Sequence, residues 1–256
     1  MLDDHTVPHS EWGVCPYWYI AGLEVPAYSV CVGLALAIGV TLFLRETRTL
    51  RTPREHTLAI LLASVCGGVL GAKLPYVVPG LLLYLQGERD MEVLFAGRTI
   101  LGGLLGGMLA VRLMKRRLRL CARRGDYMVT GIALGLVVGR IGCFLRGCCY
   151  GTPTVLPWSV DFGDGVRRHP TELYEALFCL GWFFLGRRQP RSDRGRLFNR
   201  FMLSYFALRF SLEFVRIEPV FLFGLTAFQW VCLAAIAWLL LRWFAEARKT
   251  AEGGLH

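Results

Sequence analysis

AYSVCVGLALAIGVTLFL (residues 27–44) runs without a charge and then meets RETRTLRTPR (45–54), which carries Arg45, Arg48, Arg51 and Arg54. A bilayer-spanning helix needs about 20 mostly apolar residues, and a run of arginines at its end marks the cytoplasmic side. The same alternation of apolar block and basic cluster recurs along the chain. Further candidate spans fall at 57–78, 100–114, 127–142, 171–186, 197–212 and 222–241. Two of them are rich in glycine: Gly102, Gly103, Gly106 and Gly107 in the third, and Gly131, Gly135 and Gly139 in the fourth. Small residues let helix backbones approach closely in lipid.

The basic residues fix the expected orientation. Twenty of the 29 lie in segments 45–56, 112–124 and 187–200 and in the tail after 241. Seven spans put all four segments on one face, whereas six or eight scatter them. The expectation is an all-α polytopic membrane protein of seven helices, N-terminus outside and C-terminus cytoplasmic. Residues 1–256 form one membrane domain, with a motif-bearing outer loop at 139–170. The first 26 residues hold no Lys or Arg and no apolar core, so no cleavable leader is expected.

Composition agrees. Of 256 residues 54% are hydrophobic and 19% charged, with mean hydropathy +0.45; soluble domains run at about 45–50% and about 25%. A soluble enzyme, a disordered chain and a disulfide-stapled mini-protein are excluded. The net charge of +10 belongs to cytoplasmic loops, and no nucleic-acid partner is expected.

The nine remaining basic residues run against that trend: Lys73, Arg89, Arg98, Arg140, Arg146, Arg167, Arg168, Arg209 and Arg216. Lys73, Arg140 and Arg209 are the ones expected at membrane depth, where a charge costs about 2.5–3.5 kcal/mol on insertion scales. Arg89 and Arg98 read as cations snorkelling to the outer interface. Converging intramembrane cations point to an anion, here lipid phosphate.

The densest stretches are GRIGCFLRGCCYGTPTVLPWSVDF (139–162), RRHPTELYEA (167–176) and LRFSLEFVRIEP (208–219). Thr171, after His-Pro and with Glu172 and Glu175 behind it, reads as a helix start. Arg209, Glu213 and Arg216 recur at i, i+4, i+7 and are expected on one helix face. That trio also reads as a self-neutralising ion network.

These residues resemble the prolipoprotein diacylglyceryl transferases, bacterial membrane enzymes of seven spans. The resemblance covers nearly the whole chain in order: Tyr28 in the first span, GAKLPYV (71–77), GGLLG (102–106), GRIGCF (139–144), G-x-x-Y-G (147–151), PW (157–158), RHPTELYE (168–175), R-x-x-x-E-F-x-R (209–216) and Gln229. The family pattern has R-H-P-S/T-Q-L-Y-E where this chain has RHPTELYE. The resemblance implies transfer of the diacylglyceryl group of phosphatidylglycerol to the lipobox cysteine thiol of a prolipoprotein, releasing glycerol phosphate. It implies an inner-membrane location with the site facing the outer leaflet, and no cofactor. Carried over residue by residue, Arg140, Arg209 and Tyr28 become the catalytic candidates, joined by Cys143 and Cys148. Lys73, Tyr76, Gly102, Gly103, Gly151, His169, Glu175, Glu213 and Arg216 become the substrate-binding candidates.

The chain also departs from the pattern. The family histidine before G-G-L-I-G is Leu101, the asparagine after G-R-x-G is Cys143, and the glutamate after the next glycine is Cys148, followed by Cys149. Arg146 stands where asparagine is common, and the arginine of the second motif is Lys73, which keeps the charge without the bidentate fork. Of nine cysteines, Cys31, Cys66, Cys179 and Cys232 read as packing residues, and Cys121 lies in a basic loop. For Cys143, Cys148 and Cys149 four readings stand: a disulfide between two of them, a reactive thiolate lowered by nearby arginines, a metal site of Cys143 and Cys148 with His169, or packing; no metal is assigned. Three functions accordingly remain open. They are the transferase, a non-catalytic lipid- or lipoprotein-binding relative, and a thiol-redox or metal membrane protein on the same fold.

Overall fold

Seven α-helices, interrupted by three short hairpins, make up the residues that the computed structural model describes: 14–20, 22–48, 53–85, 99–120, 124–190 and 195–252. Arg89, Arg98 and Cys121 lie outside these described residues. The described residues fall into two compact units, one within 44–120 and one that combines those of 14–43 with those of 124–252.

In the first unit α2 (Arg54–Leu85) packs on α3 (Ile100–Arg117). Thr99 starts α3 as its N-cap, its Oγ1 accepting from Gly102 N at 3.1 Å, while its own N–H donates to Ala72 O at 2.9 Å. The contact is glycine on glycine. A Cβ at Gly71 would run into the carbonyl oxygen of Gly102 and stand 2.7 Å from Gly106 Cα, and one at Gly67 would meet Gly106 O at 2.7 Å. Bare backbone faces therefore set the separation, as expected for small residues at a membrane helix interface.

In the second unit the hairpin of β1 (Tyr17–Ile20) and β2 (Leu23–Pro26) turns at Gly22, φ +80°, and feeds α1 (Ala27–Thr47). Up to residue 43 this helix lies on α4 (Val129–Arg146), again through glycine: a Cβ at Gly131 would sit 2.9 Å from Gly39 O, and one at Gly142 2.6 Å from Cys31 Cβ. Helix α4 packs on α5 (Thr171–Arg188), and α6 (Arg196–Leu212) packs on α7 (Ala227–Glu252). Phe201, Met202, Tyr205 and Phe206 are fully buried on α6; their i, i+1, i+4, i+5 spacing is one helical face. The remaining hairpins are small: β3 (Val160–Asp161) with β4 (Arg167–Arg168), and β5 (Val220–Leu222) with β6 (Leu225–Thr226).

The protein is a mostly helical membrane protein. Among the described residues four helical segments are long and apolar enough to cross a bilayer: Ala27–Thr47, Arg54–Val77, Gly125–Arg146 and Ala227–Ala245. These are the expected first, second, fourth and seventh spans. The expected third, fifth and sixth spans are helices α3, α5 and α6, of 17 or 18 residues. Exposed Leu34 and Leu36 on α1, and Leu58, Leu62, Val69 and Leu70 on α2, give these helices the apolar exterior that lipid requires.

Candidate active site

Helix α4 ends at Gly147, whose φ of 72° lets its N–H and that of Cys148 return to the carbonyls of Phe144 and Cys143. This left-handed stop releases the loop 147–170 close to the last turn of α4. The loop is tied down by backbone bonds. Gly151 N–H donates to His169 O at 2.8 Å, Thr152 N–H to Val215 O at 2.7 Å, and Gly151 bridges Arg216. Gly151 must be glycine here, because a Cβ would lie 2.8 Å from His169 Cβ and 2.9 Å from Thr171 Cγ2. The loop then enters α5 at Thr171, the residue at which the sequence predicts a helix start. Thr171 Oγ1 donates to Cys149 O at 2.7 Å.

Glu175, in the second turn of α5, joins three elements. Arg140 of α4 donates from Nε and Nη2 to its two oxygens at 2.7 and 2.6 Å. Tyr205 of α6 donates to Oε1 at 2.6 Å, and Arg209 Nη1 stands 3.6 Å from Oε2. Arg209 Nη2 donates to Glu213 Oε2 at 3.1 Å, and Thr226 Oγ1 donates to Glu213 Oε1 at 3.4 Å. Gln229 completes the set: its Oε1 accepts from Thr226 N and its Nε2 donates to Phe210 O. Arg140, Glu175, Arg209 and Glu213 are each at most 5% exposed. Two arginines and two carboxylates thus neutralise each other in the protein interior, where each alone would be costly.

Hydrogen bonding in the centre is less complete than its charge balance. Arg209 Nη1, Arg216 Nε and both oxygens of Glu172 are buried without a hydrogen-bond partner, where such groups normally find one. Arg216 differs from the sequence expectation. Arg209 and Glu213 do pair at i, i+4, but α6 stops at Leu212, Glu213–Val215 is a 3-10 turn, and Arg216 is extended. The bridge to Gly151 pulls Arg216 off the helix face, and its Nη2 donates to Glu218 at 3.3 Å.

The thiols lie beside this centre. The Sγ atoms of Cys143, Cys148 and Cys149 are all within 4.8 Å of one another, and His169 is not among them. Every described cysteine is a free thiol. Hydrogen bonds from Cys143 and Cys148 hold the Cys149 thiol well below its ordinary value, with Arg216 and Arg140 adding to the effect. The same contacts push Cys148 up. His169 instead shares a 3.1 Å hydrogen bond with Tyr174 Oη, which accepts from Trp158 Nε1 at 2.8 Å, a packing link between the PW and HPTELYE motifs. The Arg146 guanidinium lies 5.1 Å from the centre of the Tyr28 ring, so Tyr28 meets the end of α4.

In the first unit Lys73 and Tyr76 are half-buried on α2. Gly102 and Gly103 form the helix contact described above, and Leu101 is 3% exposed. Two site residues escape the sequence reading. Tyr205 lies one turn before Arg209, a helical spacing that points to it. Glu172 stands where the family pattern has glutamine, a visible signal. Cys149, which the sequence reading groups with Cys143 and Cys148, is brought to them by backbone turns.

Fold and site together define a helical membrane protein with a buried centre of paired arginines and carboxylates. A family profile described as prolipoprotein diacylglyceryl transferase matches residues 16–245. Among relatives, the phosphatidylglycerol–prolipoprotein diacylglyceryl transferase of Nitratidesulfovibrio vulgaris (strain Miyazaki F) is 37% identical over 210 residues, covering 74% of this chain and 76% of that protein. The enzyme of that name from Bordetella parapertussis is 33% identical over 238 residues, 86% of this chain and 87% of its own. That of Clostridium tetani is 30% identical over 207 residues, 77% and 83%. The chain belongs to the prolipoprotein diacylglyceryl transferase family.

Proposed function

We propose that this protein is a phosphatidylglycerol–prolipoprotein diacylglyceryl transferase. In the reaction the sulfur of an acceptor cysteine bonds to the glyceryl carbon that carries the phosphate ester. The carbon–oxygen bond breaks, and its electron pair leaves on glycerol phosphate. The observation that carries this reading is the pair of unmet guanidinium nitrogens, Arg209 Nη1 and Arg216 Nε, with Arg140 and Arg209 buried and Arg216 half-buried. Charge grows on the leaving phosphate oxygen, and fixed guanidinium groups in a site with little water stabilise it without reorganising. Family membership and the relatives' names support the same chemistry.

In this reading Arg140 and Arg209 bind the phosphate, with Arg140 set by Glu175 and Arg209 set by Glu213. Tyr28, Cys143 and Cys148 serve the acceptor side. Arg216, Gly151 and His169 shape the outer loop around the lipid. On motif grounds Lys73, Tyr76, Gly102 and Gly103 are assigned to substrate binding. The protein is one multi-pass domain of the bacterial inner membrane, with seven spans, the N-terminus outside and the site facing the outer leaflet; the basic clusters of the sequence support this orientation.

One observation favours a second reading, a lipid- or lipoprotein-binding relative without turnover: Leu101, apolar and buried, where the family pattern has histidine. Expression in a strain depleted of its own diacylglyceryl transferase separates the two. Restored growth with diacylglyceryl-modified lipoprotein supports the enzyme. Membrane-inserted protein that binds phosphatidylglycerol but leaves lipoproteins unmodified establishes the binding relative.

A further inference from the structure

Three cysteines converge where the motif loop leaves α4. Cys143 is in the last turn of the helix and is 7% exposed. Two left-handed residues, Gly147 at φ 72° and Cys149 at φ 70°, then fold the chain back so that all three Sγ atoms come within 4.8 Å. The second turn is made by a residue with a side chain, and a non-glycine held there costs about 1–3 kcal/mol. Backbone contacts keep it in place: Cys148 N–H donates to Cys143 O at 3.2 Å, and Cys149 O accepts from Thr171 Oγ1.

A disulfide would use two of these sulfurs and leave the third without a role. A metal ion would use all three. Sulfurs bound to one ion at about 2.3 Å stand about 3.8–4.0 Å apart in tetrahedral or trigonal geometry, inside the 4.8 Å that bounds these three. Thiolates select soft ions. The surroundings fit a cation bound by three anions. Arg140 and Arg216 lie in the electrostatic field of the cluster and offset the surplus negative charge. Glu172, 1% exposed, has no hydrogen-bond partner for either oxygen and also lies in the field of Cys149. A buried, unpartnered carboxyl group in the field of Cys149 is a second sign that a positive group belongs there.

We propose that Cys143, Cys148 and Cys149 form a three-sulfur site for a thiophilic ion of the zinc(II) or copper(I) class, with a fourth position open to an external thiol. On binding, three S–H protons leave to solvent and three metal–sulfur bonds form; no oxidant is involved. A thiol entering the fourth position loses its proton to solvent and is held as a thiolate, because a coordinating thiol is deprotonated. Resting on the transfer reading, that thiol is the acceptor cysteine. The site then supplies the activated sulfur in a chain that has Leu101 in place of the family histidine.

The test uses the full chain in detergent, reduced with a phosphine and titrated with cadmium(II). The expected result is one equivalent bound, a thiolate-to-metal absorption band, and protection of Cys143, Cys148 and Cys149 from alkylation, read by peptide mass spectrometry. The band disappears in the Cys143→Ser/Cys148→Ser/Cys149→Ser variant and persists in Cys15→Ser/Cys66→Ser. A band in the triple variant, or full alkylation of the three thiols in the wild type at saturating cadmium, overturns the site. The wild-type protection arm decides even if the triple variant fails to fold. Addition of N-acetylcysteine should shift the band, and an unmoved band overturns the open position. Failure of the site leaves the transfer reading standing, since lipoprotein modification is assayed without added metal. Failure of transfer leaves cadmium binding intact.

Discussion

Arg140 and Arg209 address the same atom: Glu175 Oε2 accepts from Arg140 Nη2 at 2.6 Å and lies 3.6 Å from Arg209 Nη1. One carboxylate oxygen therefore sets the spacing of two guanidinium groups from different helices. Arg140 has committed Nε and Nη2 to this contact, whereas Arg209 keeps a buried nitrogen without a hydrogen bond.

Removing the shared carboxylate leaves two buried cations facing each other. Breaking a buried ion pair by deleting one partner costs about 3–5 kcal/mol. Glu175→Gln should lower unfolding stability in detergent by that order, measured by thermal or denaturant titration. An unchanged midpoint would mean that the arginines do not depend on Glu175.

The two arginines should differ under conservative change. Arg209→Lys removes the unmet donor and should weaken phosphatidylglycerol binding by about 1.5–3 kcal/mol, the typical worth of a hydrogen bond to a charged group. Arg140→Lys breaks the two-pronged hold on Glu175 and should lower stability in addition to weakening lipid binding. Lipid binding and unfolding, measured on both variants, distinguish the roles; equal effects on both readouts would contradict the division.

How much of this was legible in the sequence depends on whether local spacing or distant contacts decide. Thr171 opens a helix where His-Pro predicts one, because proline at the preceding position favours that boundary. The Arg209–Glu213 pair follows from helical spacing alone. The glycines of the third span pack backbone to backbone on α2, as their small size implies. Arg216 defeats the periodicity because a bridge to Gly151, far away in sequence, takes it off the helix. The thiol cluster is legible only in part: the sequence puts three cysteines in one loop, but their convergence needs positive φ at Gly147 and Cys149, and no side-chain pattern announces the second. The sharing of Glu175 between two arginines likewise requires three helices to be in place.

Gly151→Ala should cost about 1–3 kcal/mol, the usual range for overpacking, because its new methyl group would meet Val215 O, His169 Cβ and Thr171 Cγ2. Gly139→Ala is the control, since a Cβ there meets nothing within 4 Å. Comparable losses of stability in both variants would remove the steric account.

Asp164 accepts a hydrogen bond from Arg168, and this contact holds its carboxyl below its ordinary value. A lowered folded-state value means the pair adds stability above the ordinary carboxyl range. That contribution is lost as pH falls through the folded value. Protection of the 160–168 hairpin from proteolysis should therefore be constant near neutrality and decline only below about pH 4. Asp164→Asn should remove the acid-dependent step; a step that survives the substitution belongs to another group.

Reporter fusions after residues 50, 120 and 194 should read as cytoplasmic, and one within 155–158 as external, following the distribution of Lys and Arg. A cytoplasmic signal from 155–158 would reverse the proposed orientation.

The backbone ties of Gly151 and Thr152 to Val215, Arg216 and His169 have an evolutionary consequence. They stitch two stretches of chain some sixty residues apart into one seam, and a seam tolerates exchange of letters better than a change in their number. One residue added between Gly147 and Thr152 would shift every later partner along the seam and misalign the sulfurs with it. The exposed turn at Gly163–Gly165 carries none of these backbone ties. Natural variants of this protein should thus record insertions and deletions at that turn while the interval from Gly147 to Thr152 keeps its length.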